Sequence, residues 1–201
     1  MITAELHFDF GSPNAYLAHR VLPAIEARTG VKFKYVPILL GGVFKATGNQ
    51  SPMQAFASFP SKLAYERLEM QRFIRRHGLT EFQRNPFFPV NTLHLMRGAV
   101  AADLEGQLPA YAEAAFHHMW EDPRKMDEPP IIEAALTESG LDGAHWLARM
   151  QDTAVKATLI ANTEQSVARG CFGAPTFFID GDIHFGKDRL PDVEAAMRGD
   201  K

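Results

Sequence analysis

Leu6-His7-Phe8-Asp9-Phe10-Gly11-Ser12-Pro13-Asn14-Ala15-Tyr16-Leu17 is the stretch whose reading decides the fold. Leu6, Phe8 and Phe10 alternate with His7 and Asp9, the period of a strand, and Gly11 ends the run. Ser12 then occupies an N-cap position with Pro13 at the first helical position, and Leu17, Val21 and Ile25 recur every fourth residue. The pattern predicts a strand that turns at once into a helix reaching about Arg28, with Gly30 past its end. A second strand is expected over Val31 to Leu39, where Phe33 and Tyr35 alternate with Lys32, Lys34 and Val36, bounded by Gly41-Gly42. A β-α-β opening favours a parallel pair.

The middle of the chain changes character. From about Lys62 to Val167 the apolar spacing is helical: Leu63, Met70 and Ile74 share one face, Leu93, Met96, Val100 and Leu104 another, and Val155, Leu159, Thr163 and Val167 a third. Shorter helices are expected over Ala110 to Trp120, Pro129 to Glu138 and Asp142 to Met150, while Pro86-Phe87-Phe88-Pro89 cannot be regular helix. Strand signals return only in Thr176-Phe177-Phe178-Ile179 and Ile183-His184-Phe185, which flank Asp180-Gly181 and read as a hairpin. Leu190, Val193 and Met197 mark a closing helix. The predicted order is β-α-β, a block of helices, then β-β-α.

With 201 residues, 46% hydrophobic and 22% charged, the chain has the composition of a globular protein of one domain with an insertion. Its 21 basic and 24 acidic residues leave a net charge of -3 without a long like-charge block, which argues against a nucleic-acid partner. No apolar run approaches a membrane span, and Met1 to Phe10 lacks the regions of a signal peptide, so a cytoplasmic location is expected. Cys171 stands alone, which excludes an internal disulfide; it reads as a small buried residue. The eight histidines include His117-His118 but no pair at helical spacing beside a Glu, so no metal site is expected.

Two features about 160 residues apart carry chemistry: Ser12 at the strand-to-helix junction, and Pro175 directly before the third strand. The tetrad opening the first helix is Ser12-Pro13-Asn14-Ala15, not Cys-x-x-Cys, so dithiol exchange from this position is excluded. A hydroxyl at a helix N-terminus can instead donate to a thiolate brought by a cosubstrate. Lowering a thiol from about pKa 9 to near 7 requires ~2 to 3 kcal/mol. A hydrogen bond to a charged acceptor contributes ~1.5 to 3 kcal/mol and the helix terminus ~0.3 to 2, so the two together suffice. Ser12 as a plain N-cap remains open; as a nucleophile it lacks a paired base.

Five motifs in order, Phe10 to Ala18, Pro37-Ile38-Leu39-Leu40-Gly41-Gly42, Asn85 to Thr92, Phe172 to Thr176 and Phe185-Gly186-Lys187-Asp188-Arg189, resemble the 2-hydroxychromene-2-carboxylate isomerase family. That family lies in the kappa-class glutathione transferase group with a DsbA-like thioredoxin fold. The resemblance implies an α/β fold, a thioredoxin-like β-α-β...β-β-α domain over 1-40 and 168-201, with an all-helical insertion over 41-167 between strands two and three. It implies glutathione as cofactor, a small aromatic carboxylate as substrate, and a homodimer. The activity implied is interconversion of 2-hydroxychromene-2-carboxylate and trans-o-hydroxybenzylidenepyruvate in aromatic hydrocarbon catabolism. A kappa-like transferase or peroxidase acting on another electrophile, or a glutathione-binding protein without turnover, are the alternatives.

By the same resemblance Ser12 sits against the glutathione sulfur, and Ala174 pairs through its backbone with the cysteinyl unit beside a cis Pro175. Lys187 and Asp188 would meet the γ-glutamyl end and Lys62 the glycyl carboxylate, with Asn49 in a nearby loop. Asn85, Phe87 and Phe88 would accept the flat aromatic acid. Asp188 as a helix cap, Lys62 as a solvated surface lysine and the two phenylalanines as core contacts are the competing readings.

Overall fold

The structure is a computed structural model and describes residues 2–199. Four strands, β1 (Ala4–Phe8), β2 (Phe33–Pro37), β3 (Thr176–Ile179) and β4 (Asp182–Phe185), form one sheet in the order β2-β1-β3-β4. β1 runs parallel to β2, with Leu6 opposite Tyr35, and antiparallel to β3, with Leu6 opposite Phe177. The expected parallel pair and hairpin are both present. At the hairpin turn Asp180 has φ 49° and Gly181 φ 93°, the left-handed pair that a two-residue turn of this twist requires. Asp180 also accepts from the Thr3 N–H at 2.7 Å, tying the turn to the start of the chain.

Helix α1 (Pro13–Thr29) connects β1 to β2. Ser12 caps it by accepting from Ala15 N, and Gly30, at φ 73°, closes it by donating to the Glu26 carbonyl. Eight helices separate β2 from β3: α2 (Leu40–Thr47), α3 (Pro52–Ala55), α4 (Pro60–His77), α5 (Leu93–Leu104), α6 (Leu108–Trp120), α7 (Pro129–Glu138), α8 (Gly143–Arg149) and α9 (Thr153–Ala168). A 3-10 turn over Lys187–Arg189 leads into α10 (Leu190–Arg198). This is the thioredoxin-like arrangement with an all-helical insertion between the second and third strands.

The sheet separates two apolar clusters. Leu6, Phe8 and Phe10 join the larger one with Tyr16, Phe116, Trp120 and Met96, and its aromatic rings meet edge to face, Phe10 against Phe116 at 4.8 Å. Phe178, Ile38, Val43 and Cys171 form the smaller one, partly covered by Val167 of α9. His7 is buried at the α9 side of β1, where Nδ1 pairs with Ser166 Oγ at 2.9 Å. α5 and α6 approach so closely that a Cβ on Gly98 would stand 2.0 Å from the Tyr111 hydroxyl oxygen; glycine is required there by packing.

Two sequence expectations shift. The second strand ends at Pro37, and Gly41-Gly42 lie inside α2 instead of bounding the strand. The cause is tertiary: the buried Asp9 carboxylate accepts from Leu40 N at 2.7 Å and so fixes a helix start there. The first strand likewise stops at Phe8, because Asp9 and Phe10 belong to the turn that this carboxylate organises.

Candidate active site

Ser12 lies at the C-terminal end of β1, where the chain turns into α1, and is 5% exposed. Its hydroxyl oxygen accepts from Ala15 N at 3.2 Å, and its proton is donated to the Ala174 carbonyl at 2.8 Å. The Ala174-Pro175 peptide is cis, as the motif implies. The loop carrying it is pinned internally: Thr176 Oγ1 donates to the Gly173 carbonyl at 2.7 Å, and Gly186 N donates to the Pro175 carbonyl at 2.9 Å. Cys171 is buried with Sγ donating to the Gly173 carbonyl at 3.2 Å, a packing role beside the same loop.

Asn49 reaches this loop from the far end of α2, donating to the Phe172 carbonyl at 2.7 Å. Ser12, Ala174, Pro175 and Asn49 therefore belong to one constellation. Asp188 follows closely, since Gly186 is bonded to Pro175, and its carboxylate side chain is 65% exposed. Lys187 differs from it in burial. Its side chain is buried, its Nζ donates to Asp188 at 2.7 Å, and it stands 4.8 Å from the centre of the Phe73 ring on α4. The buried ammonium thus clamps the 3-10 turn to α4 by a cation–π contact and is not presented to a ligand.

Lys62 lies in the first turn of α4, with its ammonium 2.6 Å from Glu66 and over the rings of Phe56 and Tyr65. The loop expected to receive an aromatic acid is divided. Phe87 is 49% exposed, whereas Phe88 packs on Trp120 at 6.0 Å. Asn85 is a loop staple: buried, it donates to the Met119 and Arg124 carbonyls and accepts from Phe87 N at 2.9 Å. Its amide group is engaged by the main chain, and Phe87 is the aromatic ring of this loop that stands exposed. The Phe88-Pro89 bond is also cis, which the sequence reading does not anticipate.

Asp9 joins these residues although no motif in the sequence marks it. Its fully buried carboxylate accepts from Gly11 N at 2.8 Å, Leu40 N at 2.7 Å and Thr92 Oγ1 at 2.7 Å. Burial pushes its pKa up against the pull of these three hydrogen bonds. The group ties the turn before Ser12 to the starts of α2 and α5, and so positions the serine while itself fully buried. A lone acid three residues before Ser12 is the only sequence signal for it.

The model of the DsbA-like thioredoxin domain matches residues 3–198. The chain belongs to this family. It is 28% identical over 200 residues to a 2-hydroxychromene-2-carboxylate isomerase of Sphingobium xenophagum, covering 97% of each chain. It is also 28% identical over 210 residues to glutathione S-transferase kappa 1 of Rattus norvegicus, covering 98% of this chain and 91% of the relative. Among solved structures, a 2-hydroxychromene-2-carboxylate isomerase superposes with a TM-score of 0.79 at 26% identity, covering 97% of this chain and 94% of the other. The tetrad Ser12-Pro13-Asn14-Ala15 at the start of α1 holds no cysteine, so it carries no dithiol. Among the described residues, no helix is long and apolar enough to cross a membrane.

Proposed function

We propose that the chain is a glutathione-dependent isomerase interconverting 2-hydroxychromene-2-carboxylate and trans-o-hydroxybenzylidenepyruvate, with Ser12 as its catalytic residue. The observation that carries the reading is the Ser12 hydroxyl held at a helix N-terminus against the Ala174 carbonyl. The site fits glutathione in chemical kind: a hydroxyl and helix N-terminus for a thiolate, a main-chain carbonyl for a peptide N–H, and an exposed carboxylate, Asp188, for an ammonium. Bound there, glutathione supplies a thiolate that adds reversibly to the conjugated alkene, permits rotation, and leaves unchanged.

A hydroxyl has one proton, and Ser12 gives it to the Ala174 carbonyl. Donation to a sulfur requires that bond to break. A peptide N–H arriving on the Ala174 carbonyl satisfies that oxygen in its place and frees the serine proton. The same exchange keeps Ala15 N capped, because the serine oxygen accepts from it in either state. Asn49 holds the loop that presents Ala174, and Asp9 holds the turn that presents Ser12. Phe87 offers an exposed ring to a flat substrate. Lys62 meets the glycyl carboxylate by giving up Glu66. Cytoplasmic location, a role in aromatic catabolism and a homodimer belong to the same reading.

An absorbance assay of the chromene carboxylate with and without glutathione tests this. Equilibration of the two isomers only when glutathione is present, with none consumed, is the expected result. Stoichiometric loss of glutathione would assign the site to a kappa-like transferase or peroxidase, and no reaction despite glutathione binding would assign it to a binding protein.

A further inference from the structure

A second cluster of chemistry lies at the C-terminal end of α6, and the proposed reaction does not use it. His118 is 1% exposed, and its Nε2 pairs with Ser139 Oγ at 3.0 Å. Its other nitrogen, Nδ1, is buried without a hydrogen-bond partner. That atom faces Asp122 Oδ2 at 3.6 Å, too far for a hydrogen bond. One ring nitrogen from each of His117 and His118 and one carboxylate oxygen of Asp122 all lie within 4.8 Å of one another. Both histidines line a surface cavity of about 470 Å³ whose walls include Glu113, Glu138 and Ser139.

The spacing suits a metal ion better than a hydrogen bond. Ligand atoms around a tetrahedral cation with bonds of ~2.0 to 2.2 Å stand roughly 3.3 to 3.6 Å apart, and the Nδ1 to Oδ2 gap of 3.6 Å lies at the upper end of that range. With Nε2–H donating to Ser139, the free lone pair of His118 is the one on Nδ1. His117 carries a carboxylate behind its ring, Glu121 at 2.9 Å from Nδ1, which is the outer partner that ligating imidazoles usually have. We propose that His117, His118 and Asp122 form a binding site for a divalent transition cation of the Zn²⁺ type. Two imidazoles and one carboxylate favour such an ion over Mg²⁺ or Ca²⁺. The sequence conceals the set because the carboxylate lies beyond the helix end, four residues after His118.

Arg124 is the built-in competitor. Its guanidinium lies 2.7 Å from Asp122 and 2.8 Å from Glu138, so it neutralises the same carboxylate that the cation would use. Removing it should therefore strengthen metal binding, an effect opposite in sign to that of removing a ligand.

The test is calorimetric titration of Zn²⁺ into the metal-stripped, tag-free full chain, together with the visible spectrum of Co²⁺ bound in its place. One equivalent of Zn²⁺ and the intense bands of a four- or five-coordinate Co²⁺ are expected. Asp122→Asn should weaken binding at least tenfold, and Arg124→Gln should tighten it several-fold. His118→Ala should abolish it; because His118 is buried, the two surface variants, checked for native circular dichroism, decide the matter if that variant fails to fold. Absence of binding, or equal affinity in the wild type, Asp122→Asn and Arg124→Gln, would overturn the proposal.

Discussion

Replacing Ser12 by alanine removes two interactions at once, and their magnitudes separate stability from chemistry. The oxygen caps α1 through Ala15 N, and loss of such a cap costs about 0.5 to 2 kcal/mol. The proton is bonded to the Ala174 carbonyl, and loss of a neutral hydrogen bond costs a further ~0.5 to 1.5 kcal/mol. Ser12→Ala should thus be folded but about 1 to 3.5 kcal/mol less stable by urea unfolding. Its effect on bound glutathione is of another kind. A hydrogen bond to a thiolate is worth about 1.5 to 3 kcal/mol, so its loss should raise the bound thiol by roughly one to two pKa units. The N-terminus of α1 remains and keeps that thiol somewhat below its value in water. Turnover at neutral pH should fall roughly ten- to a hundredfold, with glutathione affinity little changed. The deficit should shrink as pH rises, because alkali supplies the thiolate that serine no longer stabilises. Thiolate absorbance of the glutathione complex across pH, measured beside turnover, checks both halves. A deficit that is constant with pH, or wild-type activity in folded Ser12→Ala, would refute the reasoning.

Burial depresses His7 from its ordinary 6.5 to about 4. The unfolded chain therefore takes up this proton first, and stability present above pH 6.5 is lost as pH falls toward 4, by about 3 kcal/mol at most. Urea unfolding between pH 7 and 4 should show a shallower pH dependence in His7→Leu than in the wild type; equal slopes would remove His7 as the cause. Gly98→Ala should cost about 1 to 3 kcal/mol or more, since its methyl meets the Tyr111 hydroxyl. The double variant with Tyr111→Phe should recover part of the loss in melting temperature, and no recovery would leave the ring carbon Cζ, 2.5 Å from the same Cβ, as the obstacle in place of the hydroxyl. Asp188→Asn and Lys62→Met should each raise the half-saturating glutathione concentration a few-fold while leaving the maximal rate nearly unchanged. Titration of glutathione at saturating chromene carboxylate measures this, and unchanged values in both would leave Asp188 and Lys62 as surface charges.

What the sequence disclosed was local. The Ser12-Pro13 start of α1, its Gly30 end and the Asp180-Gly181 hairpin are written in neighbouring residues, and all three are present in the structure. What it concealed depends on partners distant in the chain. Asp9 draws its donors from positions 2, 31 and 83 residues away, and only the folded chain shows that it starts α2 at Leu40, so Gly41-Gly42 looked like a strand boundary. Asn85 looked like a ligand contact because an exposed loop asparagine and a buried loop staple have the same sequence; its acceptors, the carbonyls of Met119 and Arg124, are 34 and 39 residues on. Lys187 is expected, by resemblance, at the γ-glutamyl end of glutathione, and its burial against Phe73 follows from the placement of α4.

In the proposed reaction the Ser12 hydrogen bond passes from the Ala174 carbonyl to the sulfur of glutathione. A high-resolution crystal structure of the glutathione complex tests it most directly. The sulfur is expected within hydrogen-bond reach of Ser12 Oγ, with the cysteinyl N–H on the Ala174 carbonyl and the 2.8 Å bond from Ser12 to that carbonyl broken. A complex in which that bond persists and the sulfur lies away from Ser12 would contradict it.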